Sequence, residues 1–238
     1  MASVIPTSII SEPPDALPLR AMEPLENGER LDQPTFHARY EAMPDGTRAE
    51  LINGIVYMMS PLKRPHGRFQ SLLNTWLGHY EAHTPGAEAA SPQTLILTDE
   101  DEVEPDLMLL WKPEAGGRST FNADEYLTGS PELVVEVANS SSARDLHLKK
   151  NLYQKVGVKE YLVAVARVKQ IHWFINDGQA FRELPPDADS IFRSREFAGL
   201  WLDAAALWTE DMAGLLNTLS LGLNSPEHLA LVQSKKNS

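Results

Sequence analysis

Glu136 lies inside "ELVVEVA", a run whose valines on both sides read as a buried strand, and Asp106 opens "DLMLLW" 30 residues earlier. A carboxylate among valines is costly unless it is paired or holds a cation. If the two strands pair, both carboxylates come to one end of a sheet, where they repel each other unless a cation sits between them. Oxygen ligands with room for water suit Mg²⁺ or Mn²⁺. An ion so held polarises a phosphoryl oxygen and lowers the pKa of a bound water, which is what hydrolysis of a phosphodiester requires. The following segment supplies Asp145, Lys149 and Tyr153 at four-residue spacing, on one face of a helix. From that face Lys149 can reach over the sheet end to orient water or meet charge developing on a phosphate, with Asp145 expected to pair with Lys149. Each residue also has a plainer reading. Asp106 suits a turn at a strand entry, Glu136 an edge strand, and Lys149 with Lys150 a solvated helix face.

The elements that must position these groups follow from pattern and punctuation. Thr35 is placed to cap a short helix to Met43, stopped by Pro44-Asp45-Gly46. "AELINGIVYMMSP" has two apolar arms around Asn53-Gly54, a strong hairpin signal. From His66 to about His83, Phe69, Leu72, Leu73, Trp76 and Tyr80 recur at helical spacing, and the start of this helix carries the basic cluster Lys63, Arg64 and Arg68. "QTLILTDEDEVEPDLMLLW" predicts two strands around an acidic turn. After "ELVVEVA", Ser142 is placed to cap a helix ended by Gly157, and "KEYLVAVA" follows as a strand. Strand, helix and strand with such short connections predict a parallel βαβ unit. A second hairpin is expected around Asn176-Asp177-Gly178. "DAAALWTEDMAGLLNTLSLGL" reads as helical, and Ser225-Pro226-Glu227 opens a last helix.

Composition narrows the function classes. The chain has 238 residues, no cysteine and a net charge of −12. Thiolate metal sites and disulfides are thereby excluded. The acidic balance opposes sequence-independent attraction to nucleic acid, although a basic face can coexist with it. No apolar run is long enough to span a bilayer, and the N-terminus lacks the pattern of a secretory signal, so a cytoplasmic protein is expected. Six prolines interrupt residues 1–34, which favours a flexible arm. No G-x-S-x-G elbow, P-loop or H-E-x-x-H pattern occurs. His79 and His83 stand four apart without a third ligand signalled and read as surface polar residues.

Taken in order, "AELINGIVYMMSP", "PHGRFQSLL", "EPDLMLLW" and "PELVVEVANSSSARDLHLKKNLYQKVGVKEYLV" resemble the Uma-type restriction endonucleases, a branch of the PD-(D/E)XK nuclease superfamily. The resemblance runs from Thr35 to Phe181 and is most specific from Pro131 to Val163. It implies an α/β fold: a restriction-endonuclease-like core of four-stranded mixed β-sheet flanked by α-helices, with extra β-hairpins and C-terminal helices, and Mg²⁺ (or Mn²⁺) held at one sheet end. Asp106 matches the family's PD aspartate and Glu136 the acidic residue of its E-x-K element. Glu50, before the hairpin turn, and His66, at a helix start, match accessory positions. The lysine expected two residues after Glu136 is replaced by Ala138, so Lys149 has to substitute for it.

Two functions are thus expected to compete. One is a metal-dependent endonuclease hydrolysing DNA, with Asp106 and Glu136 as metal ligands, Lys149 assisting the attacking water, and Lys63, Arg64 and Arg68 meeting phosphates. The other is a nuclease-fold interaction module, favoured by the net charge and the missing lysine. The expected organisation is an arm over 1–34, a nuclease domain over 35–200 and a helical extension over 201–238. The apolar residues of that extension either cover the core or form a homodimer interface.

Overall fold

The computed structural model of the protein describes residues 23–61, 63–138 and 143–236. In chain order they form α1 (Gln33–Glu41), β1 (Ala49–Ile52), β2 (Ile55–Met58), α2 (Arg64–His83), β3 (Ala87–Ala90), β4 (Leu95–Thr98), β5 (Asp101–Val103) and β6 (Leu107–Trp111). Next come β7 (Ser119–Phe121), β8 (Leu127–Gly129), β9 (Leu133–Ala138), a π-helical turn (Arg144–Lys149), α3 (Lys150–Lys155), β10 (Glu160–Val165), β11 (Gln170–Asn176) and β12 (Phe181–Glu183). The chain ends with β13 (Ile191–Arg193), β14 (Trp201–Asp203), α4 (Ala204–Trp208), α5 (Met212–Leu223) and α6 (Pro226–Lys236).

The central sheet has the order β12-β11-β10-β9-β6-β3, six strands rather than the four expected. One of its two central strands, β9, is buried along its whole length. Alternation sends Leu133, Val135 and Val137 into the apolar cluster that α2 covers, and Val134 and Ala138 into the cluster that α3 covers. Glu136 therefore belongs to the α3 face. β10 pairs with β9 in parallel, Val163 opposite Glu136, as the strand-helix-strand pattern predicts. On the other side β6 runs antiparallel, with Leu107 opposite Val135 and Met108 opposite Val134. One step further in this register sets Asp106 beside Glu136.

Helix α2 clamps the first face. Phe69, Leu72, Leu73, Trp76 and Tyr80 are buried along it, the Trp76 indole donates to the Trp201 carbonyl at 2.9 Å, and the Tyr80 hydroxyl to the Ala198 carbonyl at 2.9 Å. A second sheet, β2-β1-β5-β4-β8-β7, carries the hairpin at its edge. Asn53 and Gly54 both take positive φ (51° and 71°), as a two-residue turn matched to strand twist requires.

Several expectations change. The N-cap of α1 is Asp32 rather than Thr35, its side chain accepting from the Thr35 amide, so the helix starts three residues early. The acidic segment makes three strands, because Asp99-Glu100 turns β4 into β5 before β6 begins. Residues 23–34 are not a free arm: the Gly28 and Leu31 amides donate to Val56 and Gly54 carbonyls, and Leu25 is buried with Phe36, Leu51 and Val56. The remainder of the proposed arm, and Ser142 as a cap, lie outside the described residues. The C-terminal helical run is broken at Thr209–Asp211, where Asp211 caps α5. The elements from β14 onward are not an appendage, since Trp208 meets Phe69 edge-on at 5.0 Å and Leu215 and Leu219 are buried in the α2-side core.

Candidate active site

The register of β6 and β9 brings Asp106 and Glu136 together at one end of the central sheet, both almost wholly buried (4% exposed each). Asp106 is fixed through both oxygens. Oδ1 meets His66 Nε2 at 2.9 Å and Oδ2 accepts the Val137 amide at 2.8 Å. His66 is on the first turn of α2, and Gln70, one turn on, donates to the Asp106 carbonyl at 3.3 Å. The aspartate is thus held by the helix on one side and by the neighbouring strand on the other.

Glu136 Oε1 accepts from Lys149 Nζ at 2.8 Å and from the Tyr153 hydroxyl at 3.2 Å. Lys149 Nζ also contacts Glu50 Oε1 at 2.7 Å. Glu50, reaching in from β1, is fully buried, accepts the Glu104 amide on the same oxygen, and leaves Oε2 buried without a hydrogen-bond partner. A strand from the second sheet therefore completes the site. Burial raises the Glu136 pKa well above the usual carboxylate range, Lys149 opposes that, and Asp106, Asp145 and Glu50 add to it. Burial disfavours charge on Lys149, but Glu136 and Glu50 outweigh it and hold the ammonium charged. Burial, reinforced by Glu136, raises Tyr153 far enough to keep it a hydroxyl donor.

The helix after β9 departs from α geometry. The Lys150 amide bonds the Asp145 carbonyl five residues back, so Arg144–Lys149 is a π turn, a feature often found at functional positions. It delivers Lys149 inward and leaves Arg144 at a cleft of about 510 Å³ that opens over Asp106, Glu136 and Lys149. Arg48, Met59, Lys63, Glu104 and Asp145 complete much of its wall.

A family model described as a putative restriction endonuclease, Uma2, matches residues 34–205. The chain belongs to the Uma2 family. A solved structure from Anabaena variabilis ATCC 29413, described as a putative nuclease belonging to DUF820, is similar in fold, with a TM-score of 0.59, 14% identity, and coverage of 72% of this chain and 96% of that one. The fold is restriction-endonuclease-like, with mixed sheets flanked by helices. No curated protein matches the chain.

In this Uma2 chain the five residues form two groups, Asp106 with His66 and Glu136 with Lys149 and Glu50, linked through the Val137 amide that Asp106 accepts. The basic residues divide. Lys63 lines the cleft and Arg64 is exposed beside it, but Arg68 pairs with Glu210 at 2.7 Å, because the turn of α2 carries it toward the C-terminal helices. Pattern reading missed Arg48, Glu104 and Arg144 as site residues. Strand alternation offered the signal for the first two, since Arg48 stands two before Glu50 and Glu104 two before Asp106. The Lys149 ammonium is turned toward Glu50 and Glu136, two of its three donors thus committed.

Among the described residues no three His, Asp or Glu side chains are disposed to hold a metal ion. Mg²⁺ needs only one or two carboxylates, with water and substrate phosphate filling its shell. Asp106 and Glu136 offer that donor set. Asp106 and Glu136 on the cleft, with the partnerless Glu50 Oε2 behind them, are hard oxygen donors of the kind a divalent cation such as Mg²⁺ takes.

Proposed function

We propose that this Uma2 protein is a metal-dependent endonuclease that hydrolyses DNA phosphodiester bonds. The observation that carries the proposal is the pairing of Asp106 with Glu136 at adjacent register positions, floored by the Lys149 ammonium and open to a cleft. Asp106 and Glu136 would hold Mg²⁺ or Mn²⁺. A divalent ion there supplies a Lewis acid for a phosphoryl oxygen and acidifies a water. His66 fixes the orientation of Asp106. Lys149 offers its remaining N–H to a water or phosphate oxygen, and Glu50 keeps that lysine charged and in place. Lys63 and Arg64 meet the nucleic-acid backbone at the rim. Purified protein is expected to cut plasmid or branched DNA with Mg²⁺ or Mn²⁺, and Asp106→Ala to lose at least a hundredfold of that activity. Cleavage unaltered by the substitution overturns the assignment.

A nuclease-fold interaction module is the second reading, favoured by Ala138 in place of the E-x-K lysine and by the pairing of Lys149 with two carboxylates. Calorimetry with Mn²⁺ separates the two, since the module requires no metal binding. A cytoplasmic location and a two-fold pair suited to two DNA strands complete the proposal. No helix among the described residues is long and apolar enough to cross a membrane.

A further inference from the structure

The basic side chains of the cleft differ in how they are satisfied. Lys149 faces Glu50 and Glu136, Arg48 pairs with Glu104 at 3.1 Å, and His66 is bound to Asp106. Arg144, like the exposed Lys63 at the rim, is different. Among the described residues no carboxylate pairs with it, although the cleft it lines holds Glu104, Asp106, Glu136 and Asp145. Its guanidinium instead lies with Nη1 3.0 Å from Met59 Sδ and its carbon 5.1 Å from the centre of the Tyr57 ring. A thioether is a weak acceptor and a ring face accepts no in-plane hydrogen bond, so among the described residues most of the five N–H donors face no strong acceptor. A guanidinium is also the group whose planar fork fits two oxygens of a phosphate.

Geometry gives this arginine a definite place. Residues 144 and 149 stand about 140° apart around an α-helix at 100° per residue. The π turn from Arg144 to Lys149 closes its bond over five residues and brings the two onto the same side. Lys149 reaches the floor at Glu136, while Arg144, one turn nearer the helix start, crosses to β2 and the residue after it. Both cations line the cleft, Lys149 beside the carboxylates and Arg144 against Met59 and Tyr57.

We infer that Arg144 is a phosphate-binding residue, held on Met59 and Tyr57 in the free protein and transferred to the phosphate oxygens of a nucleic-acid strand entering the cleft. This rests on the nuclease reading and adds to it the group that grips the substrate. Binding exchanges a sulphur contact for charge-assisted hydrogen bonds. Tyr57 and Met59 act as a parking place that keeps the guanidinium from collapsing onto the floor carboxylates.

The test measures binding of a fluorescein-labelled DNA duplex of about 20 base pairs, with EDTA present so that no strand is cut. Arg144→Met retains an apolar stem against Tyr57 and Met59, and its thermal transition checks that it folds. Affinity is expected to fall at least fivefold and the slope of log affinity against log salt to drop by about one. Arg144→Lys should recover the slope and only part of the affinity, because a lysine lacks the fork. In the wild type, ¹³C-labelled Met59 methyl should shift on adding the duplex and stay unshifted in Arg144→Met. Wild-type protein that cleaves and binds DNA while Arg144→Met binds with the same affinity and slope overturns the inference and leaves the nuclease reading standing. Wild-type protein that neither binds nor cleaves overturns both.

Discussion

At the scale of the residue, the buried ion group Glu50–Lys149–Glu136 decides the character of the site. Removing one partner of a buried pair leaves an uncompensated charge and costs about 3–5 kcal/mol. Lys149→Met is expected to lose that much stability in urea unfolding, because it strands two carboxylates with almost no exposure. Combining it with Glu136→Gln should restore part of the loss, since one stranded charge is then gone. A single substitution within about 0.5 kcal/mol of wild type would mean that the group is not held as described. Asp106 differs in kind: its partners are a histidine and a backbone amide, one on each oxygen, so its orientation is fixed from both sides.

At the scale of the element, what pattern could reveal was whatever depends on a few neighbouring residues. The Asn53-Gly54 hairpin, the α2 stripe, the burial of β9 and its parallel partner β10 were all readable, because turn chemistry and apolar period are local. The position of Asp106 at a strand mouth and of Glu136 within a strand was readable for the same reason. The partner of Glu50 was not, since Lys149 lies 99 residues away and comes from a different layer of the fold. Nor was the π turn, whose bonds have no composition signature, and without it Arg144 looks like one more helix-face charge. The β11–β12 hairpin gives a pH test of the same local kind. Asp177 accepts from the Gln179 and Ala180 amides and from Arg182, and these bonds hold its pKa at about 2, below the ordinary 3.8. A depressed carboxylate contributes stability above its unfolded pKa and loses it as pH falls through the folded one. The turn should therefore keep its geometry down to about pH 4 and loosen as pH approaches 2. NMR titration of the Gln179 and Ala180 amides checks this, and a midpoint at the unshifted value would contradict it.

At the scale of the whole molecule, the segment from β14 onward belongs to the core. Trp208, Leu215, Leu219 and Leu223 pack in the α2-side cluster. At about 1.5–3 kcal/mol for each large side chain, their burial is comparable with the ~5–15 kcal/mol that holds a domain folded. Ending the chain after Asp203 is expected to abolish a cooperative thermal transition and to give aggregated protein on gel filtration; a monomer with a sharp transition would show that the helices are dispensable.

Helix α2 carries His66 at one end and, four turns later, Tyr80 anchored to the Ala198 carbonyl. Twenty residues make a rod about 30 Å long. Pivoting such a rod by about 2° about its far end moves the near end by about 1 Å. Reactive geometry loses about a hundredfold in rate for an error of that size. On the nuclease reading, the side chains under the far end of α2 thus set where His66 meets Asp106.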